Sequence, residues 1–213
     1  MNDAASSGDL RAWISRHLDP LEEREAIKSH AQTSDFDLGP AYGPNEVDGP
    51  LTPASVLIGL VERAAGLSVI LTRRADTLRR HTGQIALPGG RRDPGETPWQ
   101  TALREAHEEI GLEPHFVSLA GLSSPYQTGT GYLITPVVGF VGEGFTLKAN
   151  PDEVADIFET PFGFLMDPAN HEIHAREWKG RIRQYYAIPF RDRYIWGVTA
   201  GILRNLYVRL YES

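Results

Sequence analysis

A glutamate-rich stretch bounded by glycines, Gly90 to Leu112, constrains this chain more than any other feature. It reads Gly90, five residues, Glu96, seven residues, Arg104-Glu105, then Ala106-His107-Glu108-Glu109-Ile110-Gly111-Leu112. Thr97 is placed to cap a helix, Pro98 suits its first turn, and Gln100 stands three residues after Thr97, as a capping box requires. Gly111 is a natural stop. At roughly 100° per residue, Trp99, Leu103, Ala106 and Ile110 form one stripe that faces a core. Glu105, Glu108 and Glu109 gather on the other side. Like charges at such spacings cost about 0.2–0.5 kcal/mol per pair on an exposed helix. A helix that collects them, with Glu96 just ahead, needs a compensating partner. Hard divalent cations supply one, because carboxylate oxygens suit Mg2+ or Mn2+. A solvated acidic face is the bland alternative, and the completeness of the surrounding pattern weighs against it.

Composition bounds the rest. The 213 residues are 41% hydrophobic and 23% charged, which suits a globular domain with a real core. The absence of cysteine excludes disulfide and thiolate chemistry and fits a reducing compartment. No apolar run approaches the roughly 18 residues of a membrane span, and Met1-Asn2-Asp3-Ala4-Ala5 lacks the basic start of a secretory signal. The expectation is a soluble, cytoplasmic protein with no membrane partner. A net charge of −7 argues against non-specific nucleic-acid binding. Yet from Glu62 to Arg92 there are seven arginines (63, 73, 74, 79, 80, 91 and 92) against two acids, a local balance of +5. Arginine's planar fork grips phosphate oxygens in pairs, so this stretch beside an acidic helix points to a polyphosphate ligand. For any single one of these arginines a surface ion pair is the better reading.

Along the chain, residues 9 to 18 have the pattern of an amphipathic helix, with Asp9 available as cap and Asp19-Pro20 as terminator. Residues 29 to 53 are polar and rich in Gly and Pro, an extended arm. Residues 1–53 are therefore expected to form a helix and arm, and 54–213 the functional domain. Ser55–Val61 and Leu67–Thr72 read as paired strands, Gln84–Leu87 as a short one, and Phe116–Leu122, Tyr132–Val141 and Tyr185–Phe190 as others. The segment opened by Asn150-Pro151-Asp152-Glu153, with Val154, Ile157 and Phe158, reads as a short helix; Phe162–Met166 is another short element, and Thr199–Tyr211 the last helix.

The spacing G-x5-E-x7-R-E-U-x-E-E-x-G-U resembles the Nudix box, signature of hydrolases that cleave nucleoside diphosphates linked to another moiety. Ala106 is small where a bulkier aliphatic is common. The resemblance implies an α+β fold, a mixed β-sheet sandwiched between α-helices (α/β/α). Upstream stands Leu71-Thr72-Arg73-Arg74-Ala75, three residues, Arg79, three residues, Gly83, three residues, Leu87-Pro88-Gly89-Gly90. This is similar to the pattern that accompanies the box in coenzyme A pyrophosphatases, with Ile70 and Leu87 replacing the usual leucine and phenylalanine. Thr130-Gly131-Tyr132, Thr135–Gly139, Asn150–Val154 and Trp196–Ala200 resemble the same subgroup. The resemblance implies metal-assisted attack of water on the pyrophosphate of coenzyme A, giving 3′,5′-ADP and 4′-phosphopantetheine.

In that reading Glu105 and Glu109 are the foremost Mg2+ or Mn2+ ligands, Glu108 a third, and Glu96 a ligand directly or through water. Arg104 orients a box carboxylate, and Glu109 or Glu153 serves as general base. Arg73, Arg74, Arg79, Arg80 and His81 supply charge for a coenzyme A-like dinucleotide, whose 3′-phosphate adds to the anionic load. Gly89 and Gly90 permit close backbone approach. Tyr126 and Tyr132 are candidates to stack on adenine, although packing is the more ordinary role. His171 and His174 lack further ligands at a recognisable zinc spacing and read as surface or loop residues. Another dinucleotide such as ADP-ribose, and a non-catalytic regulatory module, are the rival readings; the intact set of box glutamates disfavours the second. Trp13 and Ile14 leave open a homodimer through the arm, or an arm that covers the site.

Overall fold

The computed structural model describes residues 7–22, 33–34, 38, 49–75, 83–178 and 181–212. The elements run α1 (Ser7–Arg16), β1 (Thr33–Ser34), β2 (Thr52–Arg63), β3 (Gly66–Arg74), β4 (Ile85–Ala86), β5 (Gly89–Arg91) and α2 (Pro98–Ile110). They continue with β6 (Val117–Leu122), β7 (Tyr126–Gln127), β8 (Tyr132–Val141), β9 (Val154–Pro161), α3 (Phe162–Leu165), β10 (Glu172–Trp178), β11 (Arg181–Phe190), β12 (Arg193–Trp196) and α4 (Val198–Tyr211).

Apolar side chains on alternate strand positions explain the layering. In β2, Ile58 and Leu60 point to one cluster while Leu57 and Val61 point to another. In β3, Val69 and Leu71 join the first cluster and Ile70 the second; in β8, Val138 and Phe140 oppose Val137 and Val141. Strands buried on both faces in this way form the middle of a sandwich. α2 covers one face through Ala102, Ala106 and Ile110. α1 with the turn after it and α4 cover the other, through Ile14 and Leu18 and through Ile202, Leu203, Leu206 and Leu210.

The main sheet is mixed. β2 pairs in parallel with β8 from Thr52↔Tyr132 to Val61↔Val141, and antiparallel with β3 and β5. β9 takes the free side of β3, and β4 pairs with its end. This meets the expectation of a mixed sheet between helical layers. β10, β11 and β12 form a second, antiparallel sheet. No helix among the described residues is long and apolar enough to cross a membrane.

Two expectations are corrected. The segment opened by Asn150 is a turn followed by strand β9, not a helix, because Val154–Pro161 completes the hydrogen bonding of β3's outer edge. α1 begins at Ser7, so Asp9 lies in its first turn and does not precede it. Two strands not anticipated from the sequence, β10 and β12, flank β11. Ile188 of β11 and Ile195 of β12 carry this sheet into the core. Of the arm, Thr33–Ser34 adds a two-residue parallel edge to Tyr126–Gln127.

Candidate active site

Local signals fix the ends of α2. Thr97 Oγ1 accepts the Gln100 N–H at 3.3 Å, and the Gln100 side chain accepts the Thr97 N–H at 2.8 Å. Gly111 ends the helix at φ +67°, where glycine adds no Cβ strain. The next loop satisfies carbonyls of the last turn: Lys148 N–H donates to Ile110 O and Asn150 N–H to Glu109 O, each at 2.9 Å. That docking holds the 148–153 loop on the helix and brings Glu153 beside its acidic side.

The buried side of α2 is rotated toward its acids relative to the expected stripe. Thr101, Ala102, Ala106, Glu109 and Ile110 are buried, whereas Trp99 and Leu103 are only partly covered. The cause is β5, whose Gly89 and Gly90 run beside the helix and present no side chains. A Cβ on Gly90 would stand 2.6 Å from the Glu105 carboxylate, and one on Gly89 2.3 Å from Ser55 O. Gly90 thus leaves room for the Glu105 carboxylate between helix and strand, and Gly89 allows the close approach of β5 to β2.

Glu109 is 5% exposed. Its Oε2 accepts the Gly89 N–H at 3.1 Å, and its Oε1 lies 4.0 Å from Arg74 Nη1. Burial pushes this carboxyl up to about 7, against the Gly89 N–H and the Arg74 charge; Glu105 and Glu153 push in the same direction as burial. Burial also raises the half-buried Glu105, opposed by a hydrogen bond from Arg104, with Glu108 and Glu153 adding to the rise. Three carboxylates from two elements therefore load one another across a poorly solvated patch.

Arg104 organises the outer side. Its Nε donates to Glu96 Oε1 at 2.7 Å, its Nη2 to Glu96 Oε2 at 3.0 Å and to Arg91 O at 3.2 Å, and its Nη1 to Glu105 at 2.8 Å and Glu108 at 3.1 Å. Glu96 also accepts from Thr101 Oγ1 at 2.8 Å and from Asp93 N–H at 3.1 Å. The hydrogen bonds from Arg104 hold the Glu96 carboxyl down at about 2. Both Glu96 oxygens are thus engaged by protein donors, while Glu108 is exposed beyond Arg104. Thr101 was missed in the sequence. Its signal was a buried-side hydroxyl one helical turn after the cap.

The remaining candidates divide. Arg73 and Arg74 end β3 at a bulge in its pairing with β9. Arg74 Nε is buried and has no hydrogen-bond partner among the described residues. Arg79, Arg80 and His81 lie outside the described residues. Tyr126 is buried in the core, and Tyr132 is exposed. His171 bonds Leu165 O at 2.7 Å, whereas His174 lies on β10 between Glu172 and Tyr194; the two share no ligand geometry.

Among the described residues no three acidic or histidine side chains converge on one point. The Arg104 guanidinium bridges Glu105 and Glu108. The donor set nonetheless suits a hard dication: Glu105, Glu108, Glu109 and Glu153 offer only carboxylate oxygens, and two of these groups are strained by burial beside like charge.

The model of the NUDIX domain family matches residues 51–179. An uncharacterized Nudix hydrolase of Yersinia enterocolitica, NudL, is 38% identical over 157 residues, 72% of this chain and 78% of its own. NudL of Yersinia pestis is 37% identical over 154 residues, 72% and 77% of the two chains. Among solved structures, the Nudix hydrolase RenU of M. smegmatis aligns with a TM-score of 0.45 at 26% identity, over 54% of this chain and 73% of that one. The NUDIX domain of Shewanella oneidensis NrtR, complexed with ADP ribose, gives 0.40 at 20% identity, over 58% and 80%.

Proposed function

The chain belongs to the Nudix hydrolase family and is a Nudix-type pyrophosphohydrolase, and we propose that its substrate is coenzyme A or a derivative, cleaved to 3′,5′-ADP and (acyl-)4′-phosphopantetheine. The observation that carries this reading is the convergence of the upstream string on Glu109. Its arginine pair ends at Arg74, 4.0 Å from the carboxylate, and its closing glycines donate to it through Gly89 at 3.1 Å. The partly exposed guanidinium of Arg74 supports a role on a phosphate oxygen, at about 1.5–3 kcal/mol for a charge-assisted bond.

Glu105 and Glu109, with Glu108, would hold Mg2+ or Mn2+, which supplies charge neutralisation for the phosphoryl oxygens and a more acidic water. Arg104 keeps Glu105 and Glu108 in place and ties the helix to the β5 carbonyl. Gly89 and Gly90 let the phosphates approach backbone. Glu109, with its affinity for a proton near neutrality, or Glu153 accepts the proton of the attacking water. The substrate is a small molecule, and the reading includes neither nucleic acid nor membrane. Incubation with coenzyme A and Mg2+ is expected to release 3′,5′-ADP; release of AMP from ADP-ribose, with coenzyme A untouched, would assign the site to the rival dinucleotide.

A further inference from the structure

We propose that the groove between Pro53 and the loop Arg91–Glu96 is an anion subsite for the ribose 3′-phosphate of the substrate, fixing the nucleotide end toward the N-terminus of α2. The proposal rests on the coenzyme A reading above. The groove measures about 480 Å³, within the roughly 300–1,000 Å³ of small-molecule sites. Arg91 and Arg92 both line it, and neither side chain has an ion pair or hydrogen bond among the described residues. Of the carboxylates present, Glu96 is saturated by Arg104, Thr101 and Asp93 N–H. Adjacent arginines with no ion pair among the described residues match a dianion that arrives with the ligand.

The loop is built to hold them. Asp93-Pro94-Gly95-Glu96 closes a turn with Glu96 N–H on Asp93 O at 3.1 Å and Gly95 at φ +86°, where its missing Cβ is needed. Arg92 N–H donates to Pro53 O at 3.0 Å, and Arg91 O accepts from Arg104. A floor tied at three points loses little freedom when a ligand binds. Position follows from β5: Gly89 meets Glu109, Gly90 meets Glu105, and Arg91 comes next. Two strand residues advance about 7 Å, which sets the Arg91 backbone that far along β5 from the Gly89 N–H that holds Glu109. Arg74, on β3, marks the pyrophosphate itself.

The test compares coenzyme A with 3′-dephospho-coenzyme A, using the full chain with Mg2+ and reading kcat and KM from nucleotide release. Wild type is expected to prefer coenzyme A through KM. The double variant Arg91→Ala with Arg92→Ala is expected to raise KM for coenzyme A about tenfold to a hundredfold, the scale of one charge-assisted contact. Its constants for the dephospho substrate should stay near those of wild type, which also shows that the variant is folded. Equal loss on both substrates, or no loss on either, overturns the subsite and leaves the coenzyme A reading standing. A wild type that cleaves neither substrate overturns that reading and the subsite with it.

Discussion

Glu109 shows what burial does to an acid at the residue scale. Replacing it by Gln keeps the shape and the Gly89 contact but removes the charge. We expect at least about a hundredfold loss of turnover, the scale of lost general-base or metal-ligand chemistry, with an unchanged circular dichroism spectrum; near-normal turnover would remove Glu109 from the mechanism. The same substitution has a stability signature. The folded carboxyl lies at about 7 against an ordinary 4.5, so the folded state binds this proton more tightly than the unfolded chain. Its contribution is complete below pH 4.5 and is lost as pH rises through 7, on the order of 3 kcal/mol at about 1.4 kcal/mol per unit. In chelator, wild type is therefore expected to lose stability relative to Glu109→Gln between pH 5 and 8.5. Denaturant unfolding that gives the same difference at both pH values would refute this. Mg2+ should narrow the gap at pH 8.5, because it takes the place of the proton.

At the scale of the element, α2 was legible because its limits are written in adjacent residues: Thr97, Pro98, Gln100 and Gly111. Thr97→Ala is expected to cost about 1 kcal/mol by loss of the cap, and Gly111→Ala about the same by forcing a Cβ into φ +67°. Chemical denaturation measures both, and a cost near zero for either would mean that tertiary contacts alone hold that end. What periodicity did not give was the rotation of the helix. Leu103 looks as apolar as Ala102 is small, but β5 chooses the buried side, and its Gly-Gly backbone is a partner that helix periodicity does not encode. Val154–Pro161 was misread for a related reason: Asn150-Pro151-Asp152-Glu153 has the composition of a helix start, and only the vacant edge of β3 makes the following residues a strand. β12 escaped because its one buried residue, Ile195, stands alone in a four-residue strand, and β10 because none of residues 172–177 is buried and only pairing with β11 makes them a strand.

For the whole molecule, the sheet separates two kinds of packing. The acidic side chains came from one legible stretch, while Arg74 and Glu153 arrive from β3 and the turn before β9, joined to the site only by folding. All of them gather at the end of the layer that α2 covers. Ile14, fully buried, belongs to the opposite layer with Leu203 and Leu206, and Ile110, also fully buried, sits under α2 with Leu57 and Ile70. Each truncation to Ala should cost about 2–5 kcal/mol, since both sites are enclosed and collapse poorly. Their effects on catalysis should differ. Ile14→Ala loosens α1 against α4, with a sheet of intact hydrogen bonds between the cavity and Glu109, so kcat well below the melting temperature should stay within about twofold of wild type, the ordinary behaviour of distant, uncoupled sites. Ile110→Ala opens space directly beside Glu109 and lets the helix settle, and a displacement of even an ångström at a reacting centre costs up to about a hundredfold. Paired measurements of unfolding free energy and kcat decide the matter: equal losses of kcat in the two variants would show that the sheet transmits packing defects across its thickness, and the site would then depend on the whole core and not on the layer that carries it.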